Sequence, residues 1–334
     1  MRSFAFRLSL VLLLAATARA DGPYAVSKTF PIGGDGGWDY ATLSDAGDAL
    51  YLPRQTHTQV VDTATGKVTA DIPDNAGSHG VCLVPDAGRG FISNGKDGTV
   101  QIFDLKTNAT LGRIPAADDA DGIIYDAATK HVLVMCGDAT KLIVLTPTLD
   151  PKTGKPDASI DLGGKPEFAA TDGAGNVYVN LVDKDEVVAV DLKTLKVTAH
   201  WPTAPGKNPV SMTIDPAKSH IYVGCRNEKL LSIDIKTGKI VSELPIGKGV
   251  DASAFVAPQI FSSCGDGTLT VAEDTDKGLT LVQTVTTAPR SRTMAADPKT
   301  GTVYLPAAEF EKTDAKRPKS VPGTFKVLVV TRTK

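Results

Sequence analysis

The chain has little of what would declare a chemistry. Its 334 residues hold four Cys, four Met and two Trp, and aromatics make up only 6%. No Cys-x-x-Cys pair occurs, so neither a zinc site of that spacing nor covalent haem attachment has support. No phosphate-cradling P-loop is found, no Gly-x-Gly-x-x-Gly at a strand-to-helix turn, and no His-Glu-x-x-His. Ser78-His79 resembles no nucleophile elbow. An excess of one charge is missing too: 36 basic and 38 acidic residues leave a formal −2, which argues against affinity drawn from polyanionic backbones. What is plentiful is punctuation. Thirty-one Gly and 21 Pro, spread along the chain, exclude a mainly helical protein and suit many short strands.

Long apolar runs are confined to the start. Arg2 and Arg7, an apolar stretch from Leu8 to Ala16, and Ala18-Arg19-Ala20 read as a secretory signal with cleavage after Ala20. The stretch is too short to span a bilayer, and no later segment approaches eighteen apolar residues. Cleavage leaves 33 basic against 38 acidic residues, net −5. The expectation is a periplasmic or secreted, soluble, monomeric domain over residues 21–334.

The mature region repeats. Asp215 to Val223 parallels Asp297 to Leu305, and both parallel Asp172 to Val179 and Asp126 to Val134: a polar turn, then an apolar strand. A strand-turn-strand block follows at Val61 to Val68, Phe103 to Thr107, Val190 to Thr194 and Ile233 to Ile240. Each unit closes on an apolar residue and Pro: Ile72-Pro73, Ile114-Pro115, Trp201-Pro202 and Leu244-Pro245. Pro has no N–H for a ladder, which suits an outer strand. Registering the units on the residue beside each first strand gives Asp39, His79, Asp121, Glu167, Val210, Asp251 and Arg292, spaced 40, 42, 46, 43, 41 and 41. Seven units of about four short strands predict an all-β, seven-bladed β-propeller with four-stranded antiparallel blades.

The Ile-Tyr-Val, Val-Tyr-Val and Val-Tyr-Leu strands, with upstream Asp-Pro and downstream Asp-x-Lys-Thr-Gly-Lys, resemble the YVTN-type β-propeller repeat of exported bacterial proteins. The likeness covers about residues 24–334. It implies the fold, and carries less about activity because propellers host many functions.

Blade seven begins at Arg292, but only one strand, from Lys326 to Thr331, remains near its end, so its fourth strand is missing. Tyr24 to Gly33 matches the outer strand from Ile240 to Gly247 and has no blade of its own. The leading segment is therefore expected to close the ring.

In propellers resembling this one, the inter-blade connections share a face around the central channel. By that analogy Asp39, His79, Asp121, Glu167, Val210, Asp251 and Arg292 ring its mouth. One reading is mutual neutralisation, with Arg292 between Asp251 and Asp39. The sharper one is a polar ligand or cation site with His79 flanked by Asp39 and Asp121, whose charges would raise its proton affinity. Trp38 either stacks a sugar or base there or packs between blades one and seven. Loops at Gln55 to His57, Asn94 to Asp97, Gly137-Asp138, Asp183-Lys184, Arg226-Asn227 and Gly265-Asp266 are expected on the same face. So is a long blade-seven insertion, residues 308–324. Asp62, Asp104, Asp191 and Asp234 recur in Asp-x-Lys-Thr turns, where carboxylates cap turn amides. Cys136, Cys225 and Cys264 hold one repeat position in different blades, too far apart to bridge. Cys82 alone is left open to pairing, and four free, mostly buried thiols are expected.

These residues suggest a non-catalytic binding scaffold for a protein, glycan or small molecule, with no cofactor. The alternative is a propeller hydrolase, such as a lactonase, or a lyase, with a divalent cation held by Asp39, His79, Asp121, Glu167 or Asp251. Nucleic-acid binding through Arg290, Arg292, Lys316, Arg317 and Lys319 ranks third, since the net charge opposes it.

Overall fold

The structure is a computed structural model that describes residues 22–313 and 318–333. The signal-like residues 1–20, and Lys316 and Arg317 of the insertion, lie outside the described residues. Seven four-stranded antiparallel sheets form the chain, with essentially no helix: a seven-bladed β-propeller. Blades one to six occupy residues 42–72, 78–115, 120–161, 166–202, 209–245 and 250–286, each a simple meander from inner to outer strand.

Why the second strands are almost wholly apolar is clear from His131–Cys136. Val132 and Val134 pack towards blade two, while Leu133 and Met135 pack towards blade four. A blade is covered on both faces, so the ordinary alternation of apolar and polar residues disappears. The core is accordingly divided into seven clusters, one per blade interface, including one joining blade seven to blade one. Outer strands recover the alternation, as in Lys196–Pro202, and those of blades two, four and five end in Pro115, Pro202 and Pro245.

Ring closure follows the expected route. Tyr24–Pro31 pairs antiparallel with Lys326–Arg332, which pairs with Val303–Ala307 and then with the inner strand Ala295–Ala296. Tyr24 and Phe30 are buried, and the Tyr24 N–H and carbonyl both bond the Gln283 amide of blade six. The first strand thus fastens blade seven to blade six as well as completing it.

The seven units are less equal than their spacing implies. The inner strands Thr42–Leu43 and Ala295–Ala296 have two residues each, against six or seven in blades two to six. Beside these short strands, side chains link neighbouring blades: the Thr42 hydroxyl donates to the Val81 carbonyl and the Thr293 hydroxyl to the Asp39 carbonyl.

Arg54 explains the Gly-rich turn after the first strand. It is only 1% exposed, and its guanidinium donates to the carbonyls of Gly33, Asp35, Gly36 and Gly37 and to Gln59 Oε1, while lying 3.6 Å from the Phe325 ring centroid. Burial drags its pKa down to about 10, with Asp35 and Asp71 opposing. The turn winds around a cation, and this sets where Trp38 and Asp39 emerge.

All four Cys are free and buried, including Cys82. The recurrent Asp residues cap turns: Asp62 accepts from Thr65, Asp104 from Lys106 and Thr107, Asp191 from Lys193 and Thr194, and Asp234 from Lys236 and Thr237.

Candidate functional site at the channel mouth

In blades two to six the register of the inner strand shifts beside its second residue: His79, Asp121, Glu167, Val210 and Asp251. A bulge re-aims a side chain, and here one recurs at every position that carries an expected site residue in these blades. Neighbouring blades lock these positions. The Tyr40 N–H donates to the His79 carbonyl, Ser93 Oγ to the Asp121 carbonyl, and Ser263 Oγ to the Arg292 carbonyl.

His79 Nδ1 lies 2.7 Å from Asp39 Oδ2 and 3.3 Å from Asp121 Oδ1. Burial alone would lower the imidazole pKa, but the hydrogen bond to Asp39 and the charges of Asp121 and Asp39 outweigh it and carry it to about 9. His79 is therefore an imidazolium at neutral pH. Its Nδ1 proton goes to Asp39, so Asp121 Oδ1 is buried without a hydrogen-bond partner among the described residues. Burial, with Asp39 adding repulsion and His79 opposing, pushes the Asp121 carboxyl well above the usual range.

The other carboxylates are paired separately. Glu167 Oε1 meets Arg226 Nη2 at 3.0 Å, and Asp251, 5% exposed, meets Arg292 Nε at 3.2 Å. Burial raises Glu167 against the pull of Arg226, and raises Asp251 to about 7 against the pull of Arg292. Neutralisation and the His79 clasp thus coexist around one axis. Val210 is buried and adds no polar group.

Two open cavities lie on this face and share Trp38 and Gln55. One, ≈ 600 Å³, is bordered by Asp39, His79, Lys96 and Asp97. The other, ≈ 720 Å³, is bordered by Asp251, Arg292, Arg226, Lys248, Arg290 and Phe310. The expected loops therefore do converge at Gln55, Lys96-Asp97, Arg226 and Gly265-Asp266. Trp38 packs against Phe325 at 5.2 Å and Phe310 at 5.9 Å, and it also lines both cavities. The described part of the insertion reaches this face: Ser320 Oγ donates to the Gly36 carbonyl, and Phe310 and Pro318 border the larger cavity.

Several residues that shape the site escaped the sequence reading. Tyr40 and Phe168 meet across the axis with ring centroids 4.9 Å apart, and a third cavity of ≈ 260 Å³ lies beyond them along the inner strands. Burial first, then the charges of Asp121, Asp251, Asp39 and Glu167, push the Tyr40 phenol well above its ordinary pKa, so it stays a neutral plug. Gly95 lets the imidazole approach: a Cβ there would stand 2.8 Å from His79 Nε2. Its place in an Asn-Gly turn was the sole sequence signal.

Asp39, His79 and Asp121 present ligand atoms within 4.8 Å of one another, a spacing a metal ion can use. The proton on His79 is its competitor, because only neutral imidazole coordinates.

No family model matches this chain, and no curated protein matches it. Among solved structures, a chain of the Kuenenia stuttgartiensis hydrazine synthase superposes with a TM-score of 0.68 at 17% identity, covering 87% of this chain and 95% of that one. At that identity the likeness shows the propeller fold alone.

Proposed function

We propose that this protein is an exported, non-catalytic binding scaffold whose polar, mostly acidic channel mouth receives a small-molecule ligand. Trp38, Asp39, His79, Asp121, Glu167, Asp251 and Arg292 are its contact and charge-setting residues. The observation that supports this is the clasp of His79 between Asp39 and Asp121 beside an open cavity. Partly buried ionised groups are costly unless paired, and the apolar clusters at the blade interfaces supply most of the burial that holds the ring. Such a cluster is what a recognition site requires: fixed donors and acceptors on a rigid frame.

A thermal-shift screen of polar metabolites and short glycans tests the reading. Compounds that raise the Tm of the mature protein, and lose that effect in His79→Gln, are expected. A screen with no saturable hit, or hits indifferent to His79→Gln and Asp39→Asn, overturns it. The proposal includes a chain starting at Asp21 after export and running monomeric, which N-terminal sequencing of the exported protein and size-exclusion chromatography check.

A second reading, a propeller hydrolase or lyase, draws on the spacing of the Asp39, His79 and Asp121 ligand atoms. Glu167 and Asp251, by contrast, already have guanidinium partners. Stoichiometric metal in the purified protein, lost in His79→Ala, would favour this reading over the first.

A further inference from the structure

The larger mouth cavity differs in sign from its neighbour. Among the described residues, Arg226, Lys248, Arg290 and Arg292 border it against two carboxylates, Asp251 and Asp266, in a chain whose overall charge is negative. Asp251 is taken by Arg292, and Arg226 reaches Glu167. Asp266 accepts from the Lys248 and Thr268 amides and the Thr268 hydroxyl, which fix its carboxylate without pairing it to a cation. Among the described residues, neither Lys248 Nζ nor the Arg290 guanidinium has a carboxylate partner.

Arg290 is held in place by its backbone. Its φ of +65° lies in the left-handed region, which is uncommon for a side-chain-bearing residue, and its N–H donates to the Gly265 carbonyl at 2.7 Å. This conformation sets the guanidinium 5.0 Å from the centroid of Phe310, which itself packs on Trp38. Two cations without a carboxylate contact, set against the one remaining charge of Asp266, therefore stand beside a half-exposed aromatic wall.

We propose that this cavity is a subsite for an aromatic oxyanion: a carboxylate or phosphate held by Arg290 and Lys248, on a ring that lies against Trp38 and Phe310. Guanidinium and ammonium groups without a carboxylate partner supply charge-assisted bonds, and the aromatic wall supplies the apolar surface that a small charged ligand needs for affinity. The subsite rests on the reading of the mouth as a binding site, and names the chemical class that site takes.

Trp38 provides the readout. In a Trp201→Phe background it is the sole indole, so its emission is followed as benzoate, phenyl phosphate or the neutral isostere benzamide is added at low salt. Benzoate or phenyl phosphate is expected to change the emission saturably. Benzamide is expected to bind about tenfold more weakly, as are the two anions to Arg290→Gln and to Lys248→Gln. Gln at position 290 keeps the backbone hydrogen bond, and Lys248→Gln tests the charge at a second position. Equal binding of benzamide, affinity unchanged in both variants, or no response to either anion at about 10 mM overturns the subsite. A different hit from the thermal screen that depends on His79, with both anions silent, overturns the subsite alone. Anion binding sensitive to Arg290→Gln but indifferent to His79→Gln and Asp39→Asn supports the subsite while overturning the role given to the His79 clasp.

Discussion

His79 Nδ1 stands 2.7 Å from Asp39 Oδ2, although the two residues are 40 positions apart and belong to successive blades. Each reaches the axis by a different device, His79 from a strand bulge and Asp39 from the turn wound around Arg54. The contact joins the closing end of the ring to its second blade, so chemistry at the mouth and integrity of the ring are coupled.

Titration of His79 by NMR is expected to give a midpoint near 9, falling towards the ordinary value in Asp39→Asn. Because the folded pKa lies above the unfolded one, the stabilisation is complete below about 6.5 and is lost as pH rises through about 9. Its size is on the order of 1–3 kcal/mol, reduced by solvent screening of the partly exposed ring. Asp251 acts in a lower window: the folded carboxyl keeps its proton to about 7, so stability falls as pH rises from about 4 to about 7. Urea midpoints across pH should show His79→Gln flattening the upper slope and Asp251→Asn the lower one. A His79 midpoint near 6.5 would refute the clasp.

Arg54→Ala should lower stability by about 3–5 kcal/mol, the range for breaking a buried charged network. The substitution strands the carbonyls of Gly33, Asp35, Gly36 and Gly37 that the guanidinium satisfies. Arg54→Lys should recover only part of it, since an ammonium cannot reproduce the planar fork. Trp38 emission should shift in both, because the turn that carries it is released. Denaturation midpoints within about 0.5 kcal/mol of the parent would contradict this account.

Removing residues 21–33 should damage the whole ring. The deletion unpairs Lys326–Arg332 and takes the buried Tyr24 and Phe30 out of two blade interfaces, each side chain worth roughly 1.5–3 kcal/mol. The expected result is loss of a cooperative thermal transition, or a Tm far below the parent. A variant melting with the parent would show that closure lies elsewhere.

The four thiols should stay silent towards a thiol-titrating reagent until the protein unfolds. Burial pushes Cys136, Cys225 and Cys264 up to about 12 and Cys82 higher still, so thiolate is scarce as well as inaccessible. Reductant should leave the Tm unchanged, and four equivalents should appear together on denaturation.

The fold could be read from the sequence because each blade repeats one pattern, and because Tyr24 to Gly33 looks like an outer strand lacking a blade. The site was legible only as far as the repeat register reaches. Asp39, His79 and Asp121 fall at equivalent positions, so counting residues brings them together. Arg54 occurs once, and its role depends on a turn outside the repeat. Tyr40 and Phe168 meet from blades one and four, and Arg226 reaches Glu167 across 59 residues. Such contacts follow from ring curvature, which no local pattern encodes. The shortened inner strands of blades one and seven are hidden for the same reason: the hydroxyls of Thr42 and Thr293 beside them bond carbonyls beyond their own blades.

The hydrogen bond from the Thr333 N–H to the Pro23 carbonyl places the two ends of the described chain side by side. On the ribosome, the earliest strand therefore waits for its partner until some 300 residues have followed, roughly 15–60 s at about 5–20 residues per second. During that interval Tyr24–Pro31 offers an unpaired edge, and most blades can form before the circle is sealed. Joining the neighbouring ends by a short linker and opening the chain between two other blades would abolish this delay. In such a permutant this strand should pair as soon as it is made, read as early protease protection during cell-free synthesis, with the mouth intact.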